Sequence, residues 1–242
     1  MIKHVELVNQ NNRTLRGYLN LPQGSTHLVV MFHGYTGNKT EHNGFFRTMS
    51  RKLSQINIAS LRMDYACNGE SDGEFVEFMF DEAINDAKLM LDYAFSVAGI
   101  KEVSVLGFSM GGAIASLVCN YKPIKKLLLW SPAADLAKNL RRKYELATKL
   151  ENGNVYSPGF EFTEALVKSV EQFDFYSEAP KFNNQVLIIQ GRKDKAVDYL
   201  KAVEYAVKFP NSNIHILNDA THGYDDEDSA TKLLKLSLKF LK

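Results

Sequence analysis

The segment that most restricts the fold runs from Val103 to Leu117. Val103-Ser104-Val105-Leu106 leads into Gly107-Phe108-Ser109-Met110-Gly111 and then Gly112-Ala113-Ile114-Ala115-Ser116-Leu117. A strand pattern passes into a small-residue helix pattern with no room for a loop. A chain turns that sharply where glycines flank the turn, because larger side chains would clash there. The apical residue, Ser109, is then lifted above a sheet. The segment demands a sheet whose strands feed directly into helices.

The rest of the chain supplies that sheet. Val5-Glu6-Leu7-Val8 and Leu15-Arg16-Gly17-Tyr18-Leu19 flank the polar turn Asn9-Gln10-Asn11-Asn12 and read as an N-terminal antiparallel hairpin. Six inner strands are expected at Leu28–Phe32, Ile56–Met63, Val103–Gly107, Leu127–Trp130, Val186–Ile189 and Ile214–Leu217. Helices are expected at Glu41–Gln55, Phe80–Val97, Gly111–Asn120, Val197–Phe209 and Asp226–Leu241. In the second of these, Ala83, Ile84, Ala87, Met90, Leu91 and Ala94 recur at helical spacing. Strands without strong alternation, separated by helices, imply an α/β fold with a mostly parallel central sheet and helices on both faces. A single domain over residues 1–242 suits this length. The stretch from about Ala133 to Asn184 is too long for an ordinary connection. It reads as a short inserted lid over the carboxyl ends of the strands, where open α/β sheets place their sites.

Composition removes other classes. Lys plus Arg total 29 against 28 Asp plus Glu, a formal charge of +1. That balance argues against a nucleic-acid partner held by charge. Cys67 and Cys119 are too few for a disulfide framework and lack metal-ligand spacing. Their usage fits a reducing, cytoplasmic setting. No run approaches the roughly 18 apolar residues of a membrane span. The opening Met1-Ile2-Lys3-His4-Val5-Glu6-Leu7 has no long apolar run, so no signal peptide is expected.

Gly-x-Ser-x-Gly occurs twice, at Gly69-Glu70-Ser71-Asp72-Gly73 and at Gly107–Gly111. Only the second has a strand before it and a helix after it, the context of a nucleophilic serine. The first lies in a polar stretch and reads as a turn. Ser109 is the candidate nucleophile. A serine hydroxyl needs an adjacent base, and the base needs a group to hold its tautomer. Of the six histidines, His4 and His27 read as surface residues, His42 as a helix start and His215 as part of a strand. His33 precedes Gly34 at a strand end and shapes that loop. His222, in the loop after the sixth inner strand, is the candidate base. The acid should lie between Ser109 and His222 in the chain. Asp194 fits, directly after the fifth inner strand, with Asp198 as the alternative; either could instead cap a helix. Asp219 is too close to His222. An oxyanion hole needs two backbone donors. Those expected are the amides of Met110 and of Tyr35 in His33-Gly34-Tyr35-Thr36-Gly37, with Gly34 as the alternative to Tyr35.

Taken together, these motifs resemble the α/β-hydrolase superfamily over nearly the whole chain. A closer resemblance, to small bacterial carboxylesterases of the cinnamoyl and feruloyl esterase type, rests on three segments. They are His33–Lys39, Arg62-Met63-Asp64-Tyr65 and Gly69–Gly73. The resemblance implies ester hydrolysis through an acyl-enzyme without metal or organic cofactor, and a structural role for Ser71. It also implies a lid between the later strands. Two residues depart from the pattern. Phe108 stands where relatives often carry His. Met110 stands where the cinnamoyl esterases often carry Gln, and is closer to the monoacylglycerol-lipase branch.

The expected partner is a small-molecule ester, with no nucleic acid and no stable membrane insertion; a homodimer is compatible with the reading. A monoacylglycerol-lipase-like, thioesterase or serine peptidase activity would use the same residues, and a non-catalytic binding module is the remaining reading. The inserted stretch carries Tyr144, Tyr156, Phe160, Phe162, Phe173, Phe175 and Tyr176, which could line a substrate pocket or form a small core of their own. Cys119 is expected in the core and Cys67 at the surface.

Overall fold

The computed structural model describes residues 1–157 and 159–242. The chain begins with the expected hairpin, β1 (Ile2–Val8) and β2 (Thr14–Asn20), paired antiparallel. Then follow β3 (His27–Phe32), α1 (Phe45–Gln55), β4 (Ala59–Met63), α2 (Phe80–Ser96), β5 (Glu102–Phe108), α3 (Met110–Val118) and β6 (Lys126–Trp130). The stretch after β6 holds α4 (Leu136–Leu146), the short antiparallel pair β7 (Val155–Ser157) and β8 (Phe160–Phe162), and α5 (Glu164–Glu171). Pro158, inside the expected lid, lies outside the described residues. The chain closes with β9 (Gln185–Gly191), α6 (Tyr199–Lys208), β10 (Ser212–Leu217) and α7 (Glu227–Leu241).

Eight strands form one sheet in the order β1-β2-β4-β3-β5-β6-β9-β10. From β4 to β10 every pairing is parallel, and β2 joins β4 antiparallel. Successive residues of the inner strands enter opposite cores, as the two-residue side-chain period requires. Leu28, Val30 and Phe32 of β3 pack with Leu127 and Leu129 of β6 against α2, α3 and α6. Val29, Met31, Leu128 and Trp130 face the other way, against α1 and α7. Both faces are covered, so these strands are continuous apolar runs in sequence. Trp130 is fully buried, and its indole N–H donates to Ser237 Oγ of α7 at 2.9 Å. This is the α/β-hydrolase fold.

Several boundaries and placements differ from expectation. α1 begins at Phe45 rather than Glu41, because Glu41, Asn43 and Gly44 all have positive φ and cannot belong to a right-handed helix. β4 begins at Ala59, after Asn57 turns the chain with φ 60°. His27 is not a surface residue. It is buried beside Ser104, with Nε2 2.8 Å from Ser104 Oγ, and burial lowers its pKa to about 4. Cys67 is also buried, under Arg13, and its thiol is pushed up to about 12 by desolvation. Ser71 sits in a buried turn as expected, accepting from Arg16 N and donating to the Asp64 carbonyl, both at 2.9 Å.

Six of the seven aromatics of the inserted stretch pack inward, and Tyr156 is exposed. Phe160 meets Phe75, and Phe173 and Phe175 both meet Phe80 of α2. Tyr176 meets Tyr205 of α6, and Tyr144 meets the buried Phe162. None of these seven side chains lines either cavity at Ser109. The basic face of α4 is tied down as well: Arg141 forms a two-point pair with Glu171.

Candidate active site

The site lies at the carboxyl ends of the parallel strands. Ser109 joins β5 to α3 with φ 54° and ψ −118°, a strained conformation for a residue with a side chain. Close packing of the glycines around it holds this turn. A Cβ on Gly107 would come within 2.3 Å of the Gly111 carbonyl oxygen, and one on Gly111 within 1.9 Å of the Phe32 carbonyl oxygen. Only glycine permits α3 to approach β3 this closely. The Ser109 amide donates to Trp130 O at 2.9 Å, and its carbonyl accepts from Gly112 and Ala133. Its hydroxyl takes no part in these bonds.

Asp194, just beyond β9, and His222, between β10 and α7, converge on Ser109. His222 Nε2 lies 3.0 Å from Ser109 Oγ, and His222 Nδ1 lies 2.6 Å from Asp194 Oδ2. The carboxylate places the imidazole proton on Nδ1, leaving Nε2 to accept from the serine hydroxyl. Asp194 is oriented in turn. Its Oδ1 accepts from Ala196 N and Val197 N at 2.8 Å, and its Oδ2 also accepts from Gln190 Nε2 at 2.9 Å. Its side chain is wholly shielded from solvent, whereas that of His222 is 26% exposed. Phe108 lies under the imidazole, ring centres 5.0 Å apart.

The other candidates go elsewhere. Asp198 caps α6, accepting from Leu200 N at 3.0 Å, and Asp219 pairs with Lys193. His42 Nε2 donates to Asp225 Oδ1 at 2.7 Å at the rim of the site, and His215 is exposed on β10. His33 is buried, and desolvation lowers its pKa. Its Nε2 accepts from Tyr65 N at 3.2 Å, so Nδ1 carries the proton and donates to Gly34 O at 2.9 Å.

That bond sets the neighbouring loop. Gly34 O accepts from both His33 Nδ1 and Gly37 N. In a trans peptide the carbonyl and the following N–H point in opposite directions. The Tyr35 N–H is thereby turned away from the two groups that hold Gly34 O, and it donates to no group among the described residues. The Gly34 N–H, by contrast, is taken by Glu41 Oε1 at 2.5 Å. Met110 N–H, at the first position of α3, is one of the orphan donors of that helix. The Tyr35 and Met110 amides are thus unengaged beside Ser109.

Two cavities meet at Ser109 and His222. One, of about 500 Å³, is walled by Thr36, Asn38, Glu41, His42 and Asp225. The other, of about 320 Å³, runs under α4 between Ala133, Leu136, Leu140 and Val197, with Lys143 at its edge. Among the described residues no group of three or more His, Cys, Asp or Glu is placed to hold a metal ion. No helix among them is long and apolar enough to cross a membrane.

The chain matches the family described as serine aminopeptidase, S33, over residues 23–172. It belongs to this family of α/β hydrolases. Solved structures of the same fold align with nearly all of the chain. Est1E from Butyrivibrio proteoclasticus, with ferulic acid bound, aligns with a TM-score of 0.85 at 23% identity, covering 98% of this chain and 99% of that one. A putative hydrolase from Agrobacterium vitis S4 gives 0.83 at 20% identity, with both chains fully covered. The esterase Pf2001 from Pyrococcus furiosus gives 0.78 at 21% identity, covering 100% of this chain and 90% of that one. At these identities the likeness carries the fold alone. No curated protein matches the chain in sequence.

Glu41 and the His42–Asp225 pair are the site residues that sequence reasoning missed. Glu41 lies in a stretch read as helical, and its role depends on a positive φ that composition does not signal.

Proposed function

We propose that this chain is a serine carboxylesterase that hydrolyses small to medium acyl or aromatic, cinnamoyl-type esters through an acyl-enzyme. The observation that carries the reading is the unbroken hydrogen-bonded line from Asp194 through His222 Nδ1 and Nε2 to Ser109 Oγ. Ser109 Oγ attacks the ester carbonyl carbon while His222 Nε2 takes its proton. The Tyr35 and Met110 amides hold the resulting oxyanion. His222 then protonates the departing alcohol. Water, deprotonated by His222, attacks the acyl carbon, and the acid leaves as Ser109 regains its proton. Asp194 holds the working tautomer and stabilises the imidazolium.

The two cavities support this substrate class. The one under α4 is walled by aliphatic side chains and suits an acyl or aromatic group; the one by His42 and Asp225 is polar. The stretch from 133 to 184 acts as a lid on the first cavity within a single domain. Two unbridged buried cysteines fit a cytoplasmic setting. Support from relatives is of the same kind: Est1E is seen with ferulic acid, and Pf2001 is named an esterase.

The family description favours a second reading, removal of an N-terminal amino acid. Such a reaction calls for a free carboxylate near Ser109 to bind the substrate ammonium. Glu41 and Asp225 are the carboxylates of the polar cavity. Glu41 is used by Gly34 N and His42 N, and Asp225 by His42 and Thr221. Ester hydrolysis therefore fits better. The test is a panel of p-nitrophenyl acetate, butyrate, octanoate and dodecanoate with methyl ferulate and aminoacyl p-nitroanilides, run on wild type and Ser109→Ala. Turnover of short esters and ferulate, lost in the variant, is expected. Turnover of the anilides alone would move the assignment to a peptidase.

A further inference from the structure

Glu41 has a backbone conformation that its residue type does not favour. Its φ of 62° and ψ of 169° lie in a region occupied almost only by glycine. Such strain persists only where surrounding interactions over-determine it. Here the backbone is held by Glu41 N donating to Asn38 O at 2.9 Å and by Glu41 O accepting from Gly44 N at 3.0 Å, and the side chain makes two further bonds. Glu41 Oε1 accepts from Gly34 N at 2.5 Å, and Oε2 accepts from its neighbour His42 N at 2.7 Å. The carboxylate is thus clamped between the chain entering α1 and the loop that follows β3.

Gly34 lies between this carboxylate and the nucleophile. A Cβ built on it would be 3.3 Å from Glu41 Oε1 and 3.3 Å from Ser109 Cβ. Gly37 packs against the carboxylate from the other side, where a Cβ would come within 2.8 Å of Glu41 Oε1. Two consecutive peptides are therefore held. The one before Gly34 is fixed through its N–H by Glu41. The next is fixed through its carbonyl by His33 and Gly37 N. Between them they set φ and ψ of Gly34, a residue with no side chain to restrict itself. The Tyr35 N–H is the group whose direction this decides.

We infer that Glu41 is a positioning residue: by tying down the Gly34 N–H, its carboxylate aims the Tyr35 amide at the oxyanion, and its strained backbone is the cost of that reach. Glu41 acts through Gly34 and touches no reacting atom. This rests on the esterase reading above, in which Tyr35 N–H serves the oxyanion. The inference separates two quantities that normally fall together. Glu41→Gly relieves the backbone strain while deleting the clamp, so stability should hold or rise while turnover falls.

The test uses the full chain with two variants, Glu41→Gly and Glu41→Gln. Three readouts are thermal midpoint, kcat and KM on p-nitrophenyl butyrate, and the rate at which a fluorophosphonate labels Ser109. Labelling also develops negative charge on an oxygen, so it reports on the same amides independently of substrate choice. For Glu41→Gly we expect a midpoint no lower than wild type, a fall of about 10- to 100-fold in kcat and in labelling rate, and KM within about threefold. Glu41→Gln keeps one acceptor and the same size, so it guards against a folding defect in the glycine variant. It should show a smaller fall of the same pattern. Wild-type kcat and labelling rate in both variants would overturn the inference. So would a loss confined to KM, which would make Glu41 a substrate contact of the polar cavity. If wild type itself neither turns over esters nor labels at Ser109, the esterase reading fails and this one with it. If wild type labels and the variants label equally, this one fails alone.

Discussion

Replacing Asp194 by Asn tests the catalytic reading at its most constrained point. Asp194 Oδ1 receives two backbone donors, Ala196 N and Val197 N, each at 2.8 Å. The new side chain must keep its carbonyl oxygen there. Reversing it would set an NH2 group against two N–H groups, leaving buried donors unpaired at about 1–3 kcal/mol each. The NH2 group of Asp194→Asn is therefore directed at His222 Nδ1, which must become an acceptor. The imidazole proton then moves to Nε2 and points at Ser109 Oγ, which loses its base. Loss of the correct tautomer in serine-histidine-aspartate sites lowers kcat about 10⁴-fold, close to 5 kcal/mol of transition-state stabilisation. Folding should survive. Gln190 Nε2 keeps Gly191 O and Val197 O as acceptors, so the new NH2 opposite it costs about 1–3 kcal/mol, less than the whole stability of a domain. The assay is kcat on p-nitrophenyl butyrate beside a thermal melt. A folded variant with kcat within tenfold of wild type would refute the tautomer argument and the role of Asp194.

Other expectations follow from the packing and the buried titratable groups. Gly111→Ala would force a Cβ to within 1.9 Å of Phe32 O, so α3 must move away from β3; a loss of about 3 kcal/mol or more and a collapse of turnover are expected, and an unchanged urea midpoint would contradict this. Ser71→Ala removes a hydroxyl bonded to Arg16 N and Asp64 O, so stability should fall by about 1–2 kcal/mol in urea unfolding while kcat per folded molecule stays at the wild-type value. Lost turnover there would reassign the nucleophile. His27 has a folded pKa lowered to about 4. Below about pH 6.5 the unfolded chain takes up a proton that the folded chain refuses, so its contribution to stability is lost as pH falls from about 6.5 to 4, by up to about 3 kcal/mol. Asp86, raised to about 6 by burial, slopes the other way between about pH 4 and 6. The difference between wild type and His27→Gln isolates the histidine. Urea midpoints at pH 4.5 and 7 that shift equally in both would exclude it.

How much of this was readable before folding depends on the range of the forces involved. Strands β3 to β6 and β9 showed in sequence because burial on two faces favours apolar runs. The turn at Ser109 showed because close backbone approach requires Gly107 and Gly111. Proximity to the end of β9 favoured Asp194 but left Asp198 open. Each follows a strand closely enough to serve, and only the structure turns one toward His222 and the other onto Leu200 N. The burial of His27 and Cys67 was misread because a neighbouring strand and Arg13 cover them from distant parts of the chain.

The sequence by itself determined the layer architecture, the placement of Ser109 on a strand-to-helix turn and the chain order of serine, acid and histidine. Periodicity and glycine spacing act over a few residues and leave a direct imprint. The tertiary structure alone decided which side chains meet: the 3.0 Å and 2.6 Å bonds of His222, the inward packing of the lid aromatics, and the hold of Glu41 on Gly34. Those contacts join segments up to 113 residues apart. They depend on the register of a whole sheet, and no local pattern encodes that.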